Sequence, residues 1–526
     1  MFKVLITDPI SDQGIEKLQQ SPDIEVIQKS KLSQEELLTA IEDADALLVR
    51  SQTKVTAEVI EKARRLKVIA RAGVGVDNID VQAATQKGII VVNAPDGNTI
   101  STAEHTFAML LSLARNIPQA YHSLLQGKWL RKEYVGTELN GKTLSIIGLG
   151  RIGSELAKRA KAFRMNVIAY DPYLSKDRAE KLGVTKAGLE EAIQKGDFIT
   201  VHTPLTKETK HLINHDMFSK MKDGVRILNC ARGGIIDEEA LYQAILDGKV
   251  AGAALDVFES EPPEDHPLLS LPQVIATPHL GASTVEAQEN VALDVAEEVL
   301  HILRGEPFKN AVNLPSVPAE LRQKLLPYQE LAEKLGKFVS QISNGALSQI
   351  TITYGGEVAE LDVSPLTRTV LKGVLSHYLS NVNDVNAPHL AKKRGVQIVE
   401  QKTMASHGFT QYIRVEVHTS KEIRSVAGTL LNGFGPRITK VDDYPVDVTP
   451  KGHLLFIQHQ DLPGVIGRVG TLLGSEDVNI AAMQVGRLGI GGQAIMILRI
   501  DKPLTKNLID LILQIDNIQS LHEIDL

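Results

Sequence analysis

A chain of 526 residues is too long for one hydrophobic core and calls for about three or four domains. Its 43% hydrophobic and 23% charged residues are those of an ordinary soluble globular protein, and a net charge of −7 without a long Lys/Arg tract argues against nucleic acid or an anionic membrane as partner. The single cysteine, Cys230, excludes an intrachain disulfide framework and a cysteine-rich metal site, so no metal is expected.

No run of about 18 apolar residues occurs, and residues 1–7 read as the start of a strand instead of a secretion signal, so the expected location is cytoplasmic. From residue 2 to about 93, apolar runs at 4–6, 46–49, 67–70 and 89–92 alternate with polar helical segments at 33–42 and 56–64. That alternation is the signature of βα units around a parallel sheet. The part lacks a complete glycine fingerprint and reads as an α/β layer without a dinucleotide site. Arg50 and Arg71 follow directly on two of its strands, where carboxyl ends face the ligand crevice of an open sheet. Two guanidiniums in that relation point to an anion; a surface ion pair is the alternative for either alone.

Residues 99–113 read as a long helix, and a polar loop through Trp129 leads to Thr143–Ile147, a short β-branched and aliphatic strand. The strand runs into Gly148, Gly150 and Gly153, and Ile152, Leu156, Ala160 and Phe163 then recur at helical spacing. Strand, glycine turn and helix in that order are what a dinucleotide needs. The first glycine makes the tight turn, the second admits the pyrophosphate, the third lets helix and strand pack, and the helix N-terminus offers free N–H groups. A second strand at 167–170 ends at Asp171, 18 residues after Gly153, near the spacing of about 20 for an acid that binds the ribose. A carboxylate there repels a 2′-phosphate, so the expected cofactor is NAD.

Strands at 198–201, 225–228, 251–257 and 274–276 end in loops rich in Thr, Arg, Gly and His, which build one edge of a cleft. Residues 285–304 read as one helix with Val291, Val295, Val299 and Ile302 on a stripe, ended by Gly305, and residues 313–318 as a proline-bearing hinge. Beyond it, residues 321–343 open a further α/β region with strands at 349–353, 396–399 and 411–417, and Lys392, Lys393 and Arg394 read as a solvated helix end. From 453 the order is strand 454–457, helix 463–475, strand 480–485, turn 489–492, strand 494–500, helix 504–515 and strand 518–524, a ferredoxin-like βαββαβ unit. The expected fold is α/β. A Rossmann-type NAD domain (98–285) is expected within a second, flavodoxin-like α/β domain (1–97 and 286–315), followed by a further α/β domain (316–450) and the βαββαβ domain (451–526).

Hydride chemistry on an alcohol needs a base, a cation for the substrate's carboxylate and a group that tunes the base. His279 is the candidate base, Glu261 the partner of its far ring nitrogen, and Arg232 the planar fork for a carboxylate. A structural histidine and a solvated turn at Glu261 are the plainer alternatives. A Cys230 nucleophile lacks an adjacent base in sequence and ends an apolar strand.

The runs RAGVGVDNID at 71–80, GLGRIG at 148–153, NCARGG at 229–234, DVF at 256–258 and TPHLG at 277–281 together resemble the D-2-hydroxyacid dehydrogenase family. The tail resembles that family's long form, with an intervening domain and a C-terminal ACT domain. The resemblance implies oxidation of 3-phospho-D-glycerate to 3-phosphooxypyruvate, the first step of phosphorylated L-serine biosynthesis. It implies catalysis by Arg232, Glu261 and His279. NAD contacts are implied at Arg151, Ile152, Asp171, Thr203, Cys230, Ala231, Asp256 and His279 through Ala282, which includes Gly281. Substrate contacts are implied at Arg50, Ser51, Arg71, Gly73, Asn98 and Thr99. It further implies a homo-oligomer, a dimer or tetramer, paired largely through the cofactor domain, with a loop carrying Trp129, Arg131 and Lys132 toward the neighbouring subunit. In the ACT unit, HQDLPG at 459–464 and VNI at 478–480 are similar to a site that binds serine between paired domains, with His459, Asp461 and Asn479 as candidates. A serine-inhibited member has an amide where this chain has Asp461, a carboxylate that can accept from the serine ammonium. A reading of another class is a cofactor sensor that uses NADH and an amino acid to control a partner, as corepressors of the superfamily do; the whole catalytic trio and the missing basic face speak against it.

Overall fold

The computed structural model describes every residue except 316, 406, 407 and 432. The expected boundary at 316 and part of the 313–318 hinge therefore lie outside the described residues. Two compact units emerge, one of residues 1–54, 70–78 and 92–310, the other of residues 55–69, 79–91 and 311–526.

The first sheet has the order Ile24–Gln28, Phe2–Ile6, Ala46–Val49, Val68–Arg71, Ile90–Asn93, and the pairs formed by Phe2–Ile6 are parallel. In sequence order this is 2-1-3-4-5, the flavodoxin-like arrangement. The strand Ile24–Gln28 has mixed burial and carries no apolar run, which is why periodicity passes over it.

The seven-stranded sheet of the first unit runs Val274–Ala276, Val250–Leu255, Val225–Asn229, Phe198–Val201, Thr143–Ile147, Asn166–Tyr170, Thr185–Lys186, all parallel. Counting from the fingerprint strand, its order is 7-6-5-4-1-2-3, the Rossmann topology with one strand added at an edge. Both faces are buried. Leu144, Ile146 and Leu228 pack with Leu156 and Ala160, while Ile147, Ile199, Val201 and Ile227 pack on the other side with Ile193 and Leu241. Continuous apolar strands are what such two-sided burial demands. Val285–Arg304 forms as the stripe requires, with Val291, Val295, Val299 and Ile302 buried and Gly305 closing it in a left-handed turn. The expected polar loop before the fingerprint contains a helix, Ile117–Leu125. Its apolar residues face outward, so the pattern is helical but does not mark a core.

The second unit holds a six-stranded sheet in the order Gln397–Thr403, Leu347–Gly356, Gln411–Thr419, Ile423–Leu431, Gly435–Val441, Tyr444–Val448. Helices Ala319–Gln341 and Ser364–Leu375 belong to the same part, and the last three strands and Ser364–Leu375 escaped the sequence reading. Lys392, Lys393 and Arg394 are exposed at the end of Ala387–Lys393, as expected. The C-terminal sheet has the order Ile480–Arg487, Gln493–Ile500, His453–Gln460, Ile518–Asp525, antiparallel throughout, which is the βαββαβ unit. One of its faces joins the intervening core through Leu454, Phe456, Ile495 and Ile497, and the other buries Leu455, Ile457, Met496 and Leu498 under Val465–Ser475 and Lys506–Leu513.

Candidate active site

The glycine turn is shaped by contact. Gly148 has φ +99°, and a Cβ there would sit 2.5 Å from the His202 carbonyl oxygen; a Cβ on Gly153 would sit 2.3 Å from the Gly148 carbonyl oxygen. The helix Arg151–Ala162 can therefore start close to the strand only with these residues. Around the ideal Cβ of Gly150, the N-cap, nothing lies within 4 Å, which leaves room for a pyrophosphate beside the first-turn N–H groups. Asp171 accepts from Leu149 N at 2.9 Å and Tyr173 N at 2.8 Å, one donor to each oxygen. Each oxygen keeps a lone pair for a ribose hydroxyl. Beside the turn, the Thr203 hydroxyl and His202 Nδ1 are buried without a partner among the described residues, and burial pushes His202 down to about 4 and keeps it neutral. Open space, free helix N–H groups, a ribose acceptor and an unpaired hydroxyl together fit a dinucleotide. Ile152 lies in the first turn of that helix, and Arg151 extends outward to Asp96, Nε to Oδ1 2.5 Å.

His279 and Glu261 meet, Nδ1 to Oε2 2.8 Å. Burial raises the Glu261 carboxyl, but the His279 hydrogen bond and charge and the Phe258 amide hold it below the usual range. An ionised carboxylate only accepts, so Nδ1 carries the proton and Nε2 presents its lone pair. His279 takes φ +54°, a conformation uncommon for a side chain of this kind, and its amide donates to the Asp256 and Thr277 carbonyl oxygens.

Asp256 is 1% exposed and holds this loop. Its carboxylate accepts from Thr277 Oγ1 at 2.6 Å, Leu280 N at 2.7 Å and Gly281 N at 2.8 Å, with His105 Nε2 at 3.2 Å. Those donors are protein groups, so Asp256 organises the segment on which His279, Leu280, Gly281 and Ala282 sit. Cys230 is buried, and burial followed by the Asp256 charge pushes its thiol up to about 12. A buried thiol kept protonated is a poor nucleophile.

Arg232 reaches across to the loop at 71–78. Its Nε donates to Asp77 Oδ2 at 2.9 Å and one terminal nitrogen donates to the Ala231 carbonyl oxygen. The other would lie 1.9 Å from a Cβ on Gly75, so a larger residue there would have to displace the Arg232 guanidinium from its present place. Arg71 is pushed down to about 10, first by burial and then by the charge of Arg232, with Asp77 opposing and Arg50 adding to the fall. Arg71 is thus close enough to both Arg232 and Arg50 to feel their charges, an arrangement able to receive an anion. Asn78 secures the loops, accepting from Arg71 Nε at 3.1 Å and donating to the Arg50 and Thr53 carbonyl oxygens at 2.7 and 2.6 Å. Gly73 lies against Arg71, Ser51 is exposed beside Arg50, and Asn98 Oδ1 and Thr99 Oγ1 are buried without a partner among the described residues. Gly75, Asp77 and Asn78 were inside a quoted motif, but only their approach to Arg232 and Arg71 gives them a role.

In the C-terminal domain the three effector candidates do not meet within one chain. Asp461 pairs with Arg487 at 3.1 Å, His459 is buried beside it with Nε2 unpartnered among the described residues, and Asn479 Nδ2 donates to Asp501 at 2.9 Å. His459 lies opposite Ala494 and Ile480 opposite Ile500 on the shared strand. Six residues of strand, about 20 Å, separate the two ends.

Family comparisons match residues 107–281 to the D-isomer specific 2-hydroxyacid dehydrogenase NAD binding domain, 324–442 to the D-3-phosphoglycerate dehydrogenase intervening domain and 453–517 to the ACT domain. D-3-phosphoglycerate dehydrogenases of Bacillus subtilis and Methanocaldococcus jannaschii are 50% and 49% identical, each over 100% of both chains. Among solved structures, the TT0316 protein of Thermus thermophilus shares 36% identity with a TM-score of 0.55, over 59% of this chain and 100% of its own. D-lactate dehydrogenase of Aquifex aeolicus, complexed with NAD and lactic acid, shares 32% with a TM-score of 0.53, over 60% of this chain and 100% of its own. The chain belongs to the D-isomer specific 2-hydroxyacid dehydrogenases and, within them, to the D-3-phosphoglycerate dehydrogenases that carry an intervening and an ACT domain.

Proposed function

We propose that Arg232, Glu261 and His279 carry the NAD-dependent oxidation of 3-phospho-D-glycerate to 3-phosphooxypyruvate. The activity follows from family membership along the full length; the observation that supports the residue roles is the His279–Glu261 pair standing in one unit with the Arg50, Arg71 and Arg232 cluster. His279 Nε2 takes the hydroxyl proton, and Glu261 stabilises the imidazolium that forms. Arg232 holds the carboxylate with a planar fork, and Arg50 and Arg71, with Ser51, Gly73, Asn98 and Thr99, serve the phosphate end. The glycine turn, Arg151, Ile152, Asp171, Thr203, Ala231 and the 279–282 segment would hold NAD, which when bound would supply the hydride acceptor; Asp256 and Cys230 would support that wall. Domain bounds of 1–97 with 286–315, 98–285, 316–450 and 451–526 fit this division of labour.

Absorbance of NADH with 3-phosphoglycerate, 2-hydroxyglutarate, glycerate and lactate tests the substrate; phosphoglycerate gives the highest kcat/KM, and strong activity on another acid without it sinks the reading. His279→Ala lowers turnover by about 10² to 10⁴ while NAD still binds; a cofactor sensor would keep its output.

L-Serine is the proposed effector. Because Asp461 and Asn479 lie at opposite ends of the sheet, the ligand would bridge Asp461 of one chain and Asn479 of a second copy. A homo-oligomer, dimer or tetramer, working in the cytoplasm and independent of nucleic acid completes the proposal. Among the described residues no helix is long and apolar enough to cross a membrane.

A further inference from the structure

Beside the turn that carries Glu261, a second carboxylate is buried. Glu238 and Glu239 both stand in the first turn of the helix Glu238–Leu246, where either charge suits the helix dipole. Glu239 is exposed, as a residue serving only the dipole would be, whereas the Glu238 side chain is 12% exposed. Burial raises the Glu238 carboxyl, and the Glu259 amide and His266 oppose it only in part. The fold therefore carries a cost at Glu238 that a solvated helix start would avoid.

Its two oxygens go to either side of the segment that holds Glu261. Oε1 accepts from Glu259 N at 2.7 Å, and Oε2 meets His266 Nε2 at 2.9 Å. His266 Nδ1 accepts from Leu268 N at 3.3 Å, so Nε2 carries the proton that it donates to Glu238. The Glu259 side chain is tied in turn to His211, Oε1 to Nε2 2.9 Å. The peptide whose N–H Glu238 receives begins at the Phe258 carbonyl, and a Cβ on Gly233 would lie 1.9 Å from that carbonyl oxygen. Phe258 N donates to Glu261 Oε1 at 3.2 Å, and Glu261 Oε2 faces His279. A shift of residues 258 and 259 would thus turn the Glu261 carboxylate away from the imidazole.

We infer that Glu238 is a positioning residue for the oxidation: by holding Glu259 and His266 it clips the segment 259–266 in place and keeps Glu261 on His279. Glu238 acts only through Glu261, a role that rests on the one proposed above for the His279–Glu261 pair.

Steady-state kinetics of Glu238→Ala and Glu238→Gln in the full chain, each alone and combined with Glu261→Ala, test this. Alanine loses both contacts and lowers kcat by about ten- to hundred-fold, with KM for 3-phosphoglycerate and NAD changed less than about two-fold. Glutamine keeps an acceptor for the Glu259 amide but sets a donor against His266, so it loses about three- to ten-fold and gives the same reading should the alanine variant fail to fold. Without the Glu261 side chain neither substitution costs more than about two-fold further, because the two residues act as a unit. A kcat within about two-fold of wild type in the single variants overturns the inference, as does an equal loss with and without Glu261. So does a rise in KM at unchanged kcat, which would assign Glu238 to the Arg232 turn. Wild-type turnover in Glu261→Ala alone is a different failure: it would overturn the role of the pair, and the clip with it.

Discussion

Asp256 shows how a single carboxylate can shape the loop that carries His279. Burial raises its carboxyl, but the His105 and Thr277 hydrogen bonds and the Leu280 amide prevail and hold it below the ordinary 3.8. The unfolded chain then binds more protons at this residue between the two values, so the stabilisation is complete above about pH 4 and is lost as pH falls through the folded value. Asp256→Asn should therefore lower stability at pH 7 by roughly 2–4 kcal/mol, with the difference from wild type shrinking below pH 4 in urea titrations at stepped pH. The role proposed for Asp171 is toward the ribose instead. With both oxygens already fixed by Leu149 and Tyr173 amides, its charge points at one place, and Asp171→Ala should narrow the preference for NAD over NADP by at least about ten-fold in kcat/KM ratios.

At the scale of elements, the start of Arg151–Ala162 depends on closeness to Gly148. Gly153→Ala places a methyl 2.3 Å from a carbonyl oxygen, so the helix must move. The expected outcome is a loss of about 1–3 kcal/mol in denaturant unfolding together with weaker NAD binding, which separates it from a change that alters the cofactor site alone. Strand, turn, helix and acid were readable here because each rests on local rules. The strand Ile24–Gln28 and the last two strands of the intervening sheet were not, since an edge or half-exposed strand need not alternate cleanly; Ile423–Leu431 is buried inside the sheet, but Arg424, Ser425, Gly428 and Thr429 break up its apolar run. Ile117–Leu125 was missed for a related reason: an apolar stripe predicts a helix only when one knows which side the core is on.

At the scale of the whole molecule, that same helix exposes Ile117, Tyr121, Leu124 and Leu125 at spacings of four, seven and eight, with Trp129 80% exposed just beyond. Such a stripe is where the proposed homo-oligomer would find an association surface. Leu124→Asp/Leu125→Asp should reduce the sedimentation coefficient by a subunit step and red-shift the emission of the single tryptophan; an unchanged coefficient would remove this face from the assembly. A chain paired through its C-terminal domains would also complete the serine site, and Asp461→Asn should then alter inhibition by serine without changing turnover in its absence.

The sequence by itself determined the dinucleotide turn, the acid after its second strand, the parallel strands around it and the residues proposed for catalysis. Local sterics and the periods of helix and strand leave little freedom at those places. Only the tertiary structure decided that Asp256 faces inward to its loop, that Gly75 and Asp77 receive Arg232, that Cys230 is buried, and that Asp461 and Asn479 stand apart in one chain. Each of those outcomes depends on which distant segment comes within hydrogen-bonding reach, a distance that spacing along the chain does not encode.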